Sequence, residues 1–217
     1  MRDIPVFTTE YGVASLVLRE IPYRQEAYIR IQDTAYPEEF LQECVSFCRI
    51  AGAENIFATG HDCLQRYPLY TTVWRMCRPL DGLPETDAMT MPVTEATLER
   101  WRGLYNEAMA GVPNAAYMDQ ADGKAMLDRG DGYFVHRDGE LLGIGIAAGD
   151  MIRAIAATKR GAGQDVLLAL THALSGEQIY LEVASENMRA VRLYERLGFL
   201  KTQELSVWYD VFNTIEK

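Results

Sequence analysis

The chain has 217 residues, of which 48% are hydrophobic and 24% are charged, and its net charge is −10. This mixture is typical of a globular protein with one large domain or two small ones. The acidic balance argues against general nucleic-acid binding, and neither a signal peptide nor an apolar run of roughly 18 residues is evident, so we expect a cytoplasmic protein without membrane or nucleic-acid partners.

The first 80 residues are predicted to combine strands with one long helix. Pro37 marks the start of a helix that runs to about Ile50, because proline is favoured in the first helical turn. Cys44 and Cys48 lie one turn apart on this helix and could form half of a metal site. No nearby Cys or His pair completes such a site, although His61 and Cys63 could be recruited. Reduced thiols on a packed helix explain the pair better, so we expect no metal. Strands are predicted at 13–19, 27–32, 54–57 and 69–77.

A linker is predicted at 79–88, where two prolines, a glycine and three acids leave no periodic apolar face. We therefore divide the chain into an N-terminal region, 1–83, and a C-terminal domain, 84–217. The N-terminal region resembles a partial, degenerate copy of the later elements, since Glu-Asn-Ile-Phe at 54–57 is similar to Glu-Gln-Ile-Tyr at 177–180. The similarity is short, so both an internal repeat and chance remain open.

The C-terminal domain is predicted to begin with two helices and to continue with an antiparallel meander. Turn signals at Asp138-Gly139 and Gly149-Asp150 separate three runs with strand character. An amphipathic helix, a short apolar strand and a helix closed by Gly198 follow, and two last strands are expected from Phe199 onward. The predicted helices cover 94–109, 118–128 and 187–197, and a further helix carries the apolar residues between 166 and 174. The strands before Gly198 cover 133–137, 141–148, 151–157 and 179–183.

The segment from Lys159 to Asp165 is a glycine-rich loop between a strand and a helix. Glycines allow a ligand to approach the backbone, and the helix start presents free N–H groups and a positive dipole end. These features suit a diphosphate, to which Arg160 adds charge, although a plain turn explains the composition as well. The loop has neither the ending of a P-loop nor the three-glycine spacing of a Rossmann turn.

Two later positions carry candidate chemistry. Glu182 lies in an apolar strand, where a desolvated carboxylate would suit a general base, although the spacing alone favours an exposed and solvated residue. Asn187 starts the next helix and can cap it or hold a ligand, and Tyr194 lies two turns further on the same face. The pattern alone leaves open whether this tyrosine packs in the core or acts in a site.

Leu-Glu-Val at 181–183, Asn187, Leu-Tyr at 193–194 and Gly-Phe at 198–199 together resemble the C-terminal signature of GNAT-superfamily acetyltransferases, and are especially similar to the ribosomal-protein N-terminal acetyltransferase branch. The upstream Arg160-x-x-Gly163 loop is similar to the acetyl-CoA motif of the same superfamily. The resemblance implies an α/β (α+β) GNAT fold, which is a mixed, mostly antiparallel sheet flanked by helices, here preceded by a partial GNAT-like N-terminal half.

The resemblance also implies an acetyl-CoA-dependent N-acetyltransferase that uses no metal. Backbone N–H groups of Ile155, Ala156 and Ala157 would bind the pantetheine arm, and Asn187 would contact the pantetheine or the substrate. Tyr194 would act as general acid toward the departing thiolate. The pyrophosphate loop would consist of Arg160, Gly161, Ala162, Gly163, Gln164 and Asp165.

The acceptor is expected to be a primary amine of a small molecule or a peptide, with Glu182 as the first candidate for the base and Asp150 or water as alternatives. Asp165 departs from the family's loop, which has Gly or Ala at that position, so its carboxylate could repel the pyrophosphate or could instead offset the helix dipole and point away. The second hypothesis is therefore a catalytically silent module that binds acyl-CoA or a partner. A homodimer is possible for either function.

Overall fold

The computed structural model of the protein describes residues 5–212, which form two compact units. The first unit holds the described residues up to Thr72 together with those from Leu205 onward, and the second runs from Val73 to Glu204. These limits do not coincide with the sequence-based division at 83 and 84, because two long strands each begin in one unit and end in the other.

The first unit is a sheet in which antiparallel strands are followed by one parallel neighbour. Its strand order is β1-β2-β3-β4-β11, and only the β3–β4 pair is parallel. The part of β11 that belongs to this unit pairs with β4 at Tyr209 and Asp210. The elements are β1 (Val6–Thr9), β2 (Gly12–Val17), α1 (Ile21–Arg24), β3 (Glu26–Thr34), α2 (Pro37–Ile50), β4 (Asn55–Thr59), a 3-10 turn (Asp62–Arg66) and the end of β11 (Leu200–Asp210).

Helix α2 closes the core of this unit with one apolar face. Phe40, Leu41, Cys44, Val45 and Cys48 recur every three or four residues and are all buried. Burial raises the pKa of the Cys44 and Cys48 thiols to about 12. Both cysteines are fully buried and belong to the hydrophobic core of this unit, so they pack as small apolar residues.

The second unit contains six sheet strands in the order β5-β10-β9-β8-β7-β6, and only β9 and β10 are parallel neighbours. The predicted meander is confirmed as β7, β8 and β9. The elements are β5 (Leu69–Pro79) from Val73 onward, β6 (Met89–Pro92), a 3-10 turn (Glu95–Thr97), α3 (Leu98–Met109), α4 (Gln120–Arg129), β7 (Gly132–Arg137), β8 (Glu140–Ala148), β9 (Met151–Ala157), α5 (Gly163–Thr171), β10 (Gln178–Ala184), α6 (Met188–Arg196) and the start of β11.

Helices cover both faces of the second unit's sheet. The continuous buried run 166–171 of α5 packs with Leu142, Ala147 and Ile152 on one face. On the opposite face, Trp101 of α3 and Met126 of α4 pack with alternate residues of the same strands. This mixed arrangement, mostly antiparallel and flanked by helices, confirms the predicted fold class.

Several local predictions differ from the structure. The two strands expected after Phe199 are one continuous strand, β11, because no turn residue interrupts 200–210. The short strands β1 and β6 were not predicted, since four residues carry too little periodicity to be distinguished from a loop. The loop character of 80–88 is confirmed.

Both units share one succession of elements. An antiparallel strand pair is followed by a helix and then by a strand parallel to the second strand of the pair, as β2-β3-α2-β4 in the first unit and β8-β9-α5-β10 in the second. In the first unit the short helix α1 lies between the two strands of the pair. That the first unit is a degenerate copy of the second stays a prediction. Among residues 5–212, no helix combines the length and apolar character of a bilayer span.

Candidate active site

The central feature of the second unit is a cleft between β9 and β10. The two strands pair only at Tyr180 with Met151 and at Leu181 with Ile152, and they diverge beyond these pairs. Strand β9 remains paired with β8 as far as Ala157, so it is β10 that separates from it. Backbone groups on the free side of β9 therefore face a gap in the sheet.

Strand geometry identifies which N–H groups face this cleft. The N–H of Thr158 donates to the Leu142 carbonyl of the β8 side at 2.9 Å. Because successive residues of a strand point in opposite directions, the N–H of Ala156 also points toward β8, whereas those of Ile155 and Ala157 point into the cleft. Of the three predicted backbone donors, Ile155 and Ala157 thus direct their N–H groups into the cleft, and the Ala156 N–H is directed away from it.

Three cavities follow one another along this cleft. The inner cavity, of about 300 Å³, is lined by Ile155, Glu182, Asn187 and Tyr194 among others. The middle cavity, of about 270 Å³, shares Ile155, Asn187 and Tyr194 with it and extends to Ala157 and Gly163. The cationic cavity, of about 790 Å³, shares Ala157 and Arg189 with the middle one. A groove thus runs from the helix start of α5 to the tyrosine.

Positive charge is concentrated at the outer end of this groove. Most of the residues that line the cationic cavity come from the loop before α5 and from one face of α6, where three arginines follow at spacings of three and four. In the described part of the chain, Arg160 and these three arginines form no ion pair with a carboxylate, whereas Lys159 pairs with Glu140. The cationic side chains are Lys159, Arg160, Arg189, Arg192 and Arg196.

The start of α5 adds backbone donors to this charge. The first helical hydrogen bond runs from the Val166 N–H to the Ala162 carbonyl at 3.0 Å, and Ala162, at the N-cap, makes no side-chain cap. Within residues 5–212, the N–H groups at 163–165 accordingly have no protein acceptor. Gly161 adopts φ +91° and lines the cationic cavity, while Gly163 lines the middle one.

Asp165 is held away from the groove. One carboxylate oxygen accepts from Arg137 Nη1 at 3.2 Å, and the other accepts from Thr86 Oγ1 at 3.4 Å. Neither Asp165 nor the exposed Gln164 lines any of the three cavities. Of the two alternatives left open for Asp165, the structure supports the one in which its side chain points away from the loop's anion-binding face.

Tyr194 is placed by the end of α6. Gly198 adopts φ +84°, which returns the Phe199 N–H to the Tyr194 carbonyl at 3.0 Å and packs the two rings with centroids 5.9 Å apart. The tyrosine is buried yet lines both the inner and the middle cavity. Burial raises the pKa of the phenol to about 12, so it remains a proton donor at every physiological pH.

Glu182 lines the inner cavity but is not desolvated. Its side chain is 39% exposed, and Oε1 accepts from Arg75 Nη2 at 3.1 Å. Alternate residues of β10 point to opposite faces of the sheet, and Glu182 lies on the open one. Asp150, the alternative base, is exposed next to the end of β9 that pairs with β10, and it lines none of the three cavities.

Asn187 both caps α6 and lines the groove, the two placements that the sequence had left as alternatives. Its Oδ1 accepts from the Ala190 N–H at 3.3 Å, so it caps α6. The same residue lines the inner and middle cavities at the point where they meet. The cap fixes the side chain beside Tyr194.

Sequence reasoning missed several residues of the groove. Val73 lines the inner cavity and Arg75 pairs with Glu182, although both precede the predicted domain boundary. They reach the site because β5 pairs antiparallel with β10, a long-range contact that no local pattern reveals. The arginine stripe of α6 does have a local signal, namely its helical spacing. Across residues 5–212, no group of three His, Cys, Asp or Glu side chains is arranged to hold a metal ion.

Comparison with known proteins bears on the fold. Residues 149–209 match the family model described as FR47-like protein, and no curated protein matches the chain. A GCN5-related N-acetyltransferase from Anabaena variabilis aligns over 94% of this chain and 60% of its own, with a TM-score of 0.62 and 11% identity. An acetyltransferase of the GNAT family from Colwellia psychrerythraea aligns over 94% and 84%, with a TM-score of 0.50 and 14% identity.

A functionally unknown conserved protein from Staphylococcus epidermidis aligns over 96% of this chain and 93% of its own, with a TM-score of 0.59 and 8% identity. At such low identities, the structural likenesses bear on the fold alone. They show that the chain has the GNAT fold. None of them singles out the ribosomal-protein branch, which stays a prediction.

Proposed function

We propose that the second unit is an acetyl-CoA-dependent N-acetyltransferase that transfers the acetyl group to a primary amine by direct attack on the thioester. The observation that carries the proposal is the cleft between β9 and β10, which joins an anion-binding helix start at one end to a buried, protonated tyrosine at the other. Diphosphate, pantetheine arm and thioester fit these places in the order in which they occur in acetyl-CoA.

The outer end of the groove suits the phosphates. Free N–H groups at 163–165 and the positive dipole end of α5 favour an anion. Arg160 and the arginines of α6 add positive charge in a protein whose net charge is −10. A cluster of cations in a protein with a negative net charge supports a ligand that carries several negative charges. The phosphates of coenzyme A provide such charges.

The middle of the groove suits the pantetheine arm. Its amides would pair with the inward-facing N–H groups of Ile155 and Ala157, as an added strand does at an open sheet edge. Ile155 lines both the middle and the inner cavity, whereas Ala157 does not line the inner one. The Ile155 N–H is therefore the inward-facing donor nearer to the reacting end of the groove. There it would stabilise the oxyanion that forms when the amine attacks the carbonyl.

The inner end suits the reaction. Tyr194 would donate a hydrogen bond to the departing sulfur, because its pKa of about 12 keeps the hydroxyl protonated. An alkyl amine, with a pKa of about 10.4, must lose a proton before it attacks. Glu182 is the carboxylate on the cavity wall that could accept this proton, directly or through water, whereas Asp150 lies outside the cavity. The acceptor itself is a small-molecule or peptide amine in this proposal.

The first unit is not expected to bind acetyl-CoA. Strands β3 and β4 pair at five consecutive positions, from Glu26 with Asn55 to Arg30 with Thr59, so no cleft corresponds to the one between β9 and β10. The start of α2 carries Glu38 and Glu39 instead of glycines and cations, which would repel phosphates. We therefore assign one acetyl-CoA to each chain.

Titration calorimetry with acetyl-CoA, followed by a thiol-release assay against a panel of amines, tests the proposal. Binding with turnover supports it. Binding without turnover of any amine supports instead the silent acyl-CoA-binding module, and absence of binding contradicts both. Arg192→Ala should weaken acetyl-CoA binding more at low than at high salt, whereas Arg100→Ala, which removes the same charge from an exposed position of α3, should leave it unchanged.

A further inference from the structure

The loop between α3 and α4 places one carboxamide in the wall of the inner cavity. Asn114 lines this cavity and adopts φ +59°, a left-handed conformation that asparagine tolerates better than other residues with a side chain. Turn hydrogen bonds on both sides, from Val112 N to Met109 O at 3.1 Å and from Ala115 N to Val112 O at 3.2 Å, fix the local backbone. The side chain is thus positioned by its own loop.

Both polar atoms of this carboxamide are buried without a partner. Nδ2 and Oδ1 of Asn114 lack a hydrogen bond within the described residues. Leaving a buried donor and a buried acceptor unsatisfied is costly, and such groups in native proteins usually have a partner in water or a ligand. Asn106, in the last turn of α3, shows the contrast. Its Oδ1 accepts from the Met118 N–H at 2.8 Å, and its Nδ2 donates to the Met118 carbonyl at 3.1 Å.

We infer that Asn114 selects the acceptor by pairing with an amide group adjacent to the reacting amine, so that the substrate is an α-amino amide. This inference rests on the proposed function. A planar amide offers a donor and an acceptor side by side, which satisfies Oδ1 and Nδ2 together. A carboxylate provides no donor for Oδ1, and a plain alkyl amine has no group beside the reacting amine that provides both a donor and an acceptor.

The remaining cavity wall defines the rest of the acceptor. Met109, Val112 and Pro113 flank Asn114 with apolar surface, and Glu182 is on the strand opposite the loop. An apolar side chain on the acceptor therefore has a surface to bury, while its amine is directed to the carboxylate and to Tyr194. An apolar amino-acid amide and the N-terminal residue of a peptide share this chemistry.

Three matched amines test the inference in the full chain. Leucinamide carries the amide, 3-methylbutylamine is the same molecule without it, and leucine replaces the amide with a carboxylate. Expressed per free amine, kcat/KM should be about tenfold higher for leucinamide than for 3-methylbutylamine, because two neutral hydrogen bonds are made in one case only. Leucine should be a poorer substrate than leucinamide.

Variants of Asn114 separate this role from a structural one. Asn114→Gly keeps the left-handed backbone and Asn114→Asp keeps the side-chain shape, and each should lower kcat/KM for leucinamide about tenfold without lowering it for 3-methylbutylamine. Asn55→Asp, the same chemical change at the exposed first residue of β4 in the first unit, should alter neither rate. Calorimetry of acetyl-CoA on each variant, expected unchanged, shows that the fold and the cofactor site persist.

The outcomes are distinguishable. Equal loss on both amines in both variants would show a structural role only and would overturn the inference. Turnover of 3-methylbutylamine as fast as leucinamide by the unaltered protein would overturn it while leaving the proposed acetyl transfer intact, and so would turnover of other amines of the panel but of none of these three. Turnover of no amine in the whole panel would overturn both. A tripeptide with N-terminal leucine used faster than leucinamide assigns a peptide acceptor, and the reverse assigns a small amide.

Discussion

Replacing Tyr194 with phenylalanine removes one hydroxyl and keeps the aromatic ring. The ring packs against Phe199 and within the core of the second unit, so its removal would be destructive, but the phenylalanine retains these contacts. Tyr194 lines both the inner and the middle cavity. Tyr194→Phe is therefore expected to leave the fold and acetyl-CoA affinity nearly unchanged while lowering kcat.

The size of the loss follows from proton affinities. General acids typically contribute factors of about 10² to 10⁴. Burial raises the pKa of Tyr194 to about 12, whereas a thiol has a pKa of about 8.5, so full proton transfer to the thiolate is uphill and hydrogen-bond donation contributes most. We expect a loss of about tenfold to hundredfold, at the lower end of the usual range.

The effect of Tyr194→Phe on kcat should not depend on pH in the range in which the phenol stays protonated. Because the raised pKa keeps Tyr194 protonated below about 12, its contribution should be constant between roughly pH 6 and 10, and the kcat ratio of unaltered protein to variant should not change over that interval. A thiol-release assay at saturating acetyl-CoA measures this ratio. An unchanged kcat, or a ratio that falls toward one as the pH rises, would refute the assigned role.

Four further predictions follow from the same groove. Arg196→Ala should raise the Kd for acetyl-CoA about threefold to tenfold at low salt, and an unaffected Kd would remove the α6 stripe from the phosphate site. Calorimetry should give one acetyl-CoA per chain; a stoichiometry of two would contradict the closed β3–β4 pair of the first unit. Glu182→Gln should lower kcat/KM most at low pH, where free amine is scarcest, and a parallel pH profile would argue against Glu182 as the base. Asp165→Asn should change acetyl-CoA affinity by less than about threefold, since its carboxylate faces Arg137; a large gain in affinity would show repulsion of the phosphates instead.

Much of the second unit was predictable because its signals are local. The turn pairs at 138–139 and 149–150 defined the meander, and Gly198 defined the end of α6. The loop before α5 and the positions of Asn187 and Tyr194 followed from glycine placement and helical spacing. Such features depend on a few neighbouring residues, so they survive without knowledge of the tertiary structure.

The remainder depends on contacts between distant parts of the chain. β5 joins β10 and the end of β11 joins β4, so the compact units differ from any division of the chain at one point. The ion pair between Glu182 and Arg75 follows from the pairing of β5 with β10, in which these two residues are opposite each other. The hydrogen bond between Arg137 and Asp165 joins residues that are 28 positions apart in the chain. At such a separation, the sequence gives no local signal that two side chains are in contact.

A crystal structure of the protein grown with acetyl-CoA examines the whole groove in one measurement. The diphosphate should contact the N–H groups at 163–165 beside the α6 arginines, the pantetheine should pair with Ile155 and Ala157 of β9, and the sulfur should lie next to the Tyr194 hydroxyl. Acetyl-CoA bound outside the cleft between β9 and β10, or bound within it with its sulfur remote from Tyr194, would contradict the account.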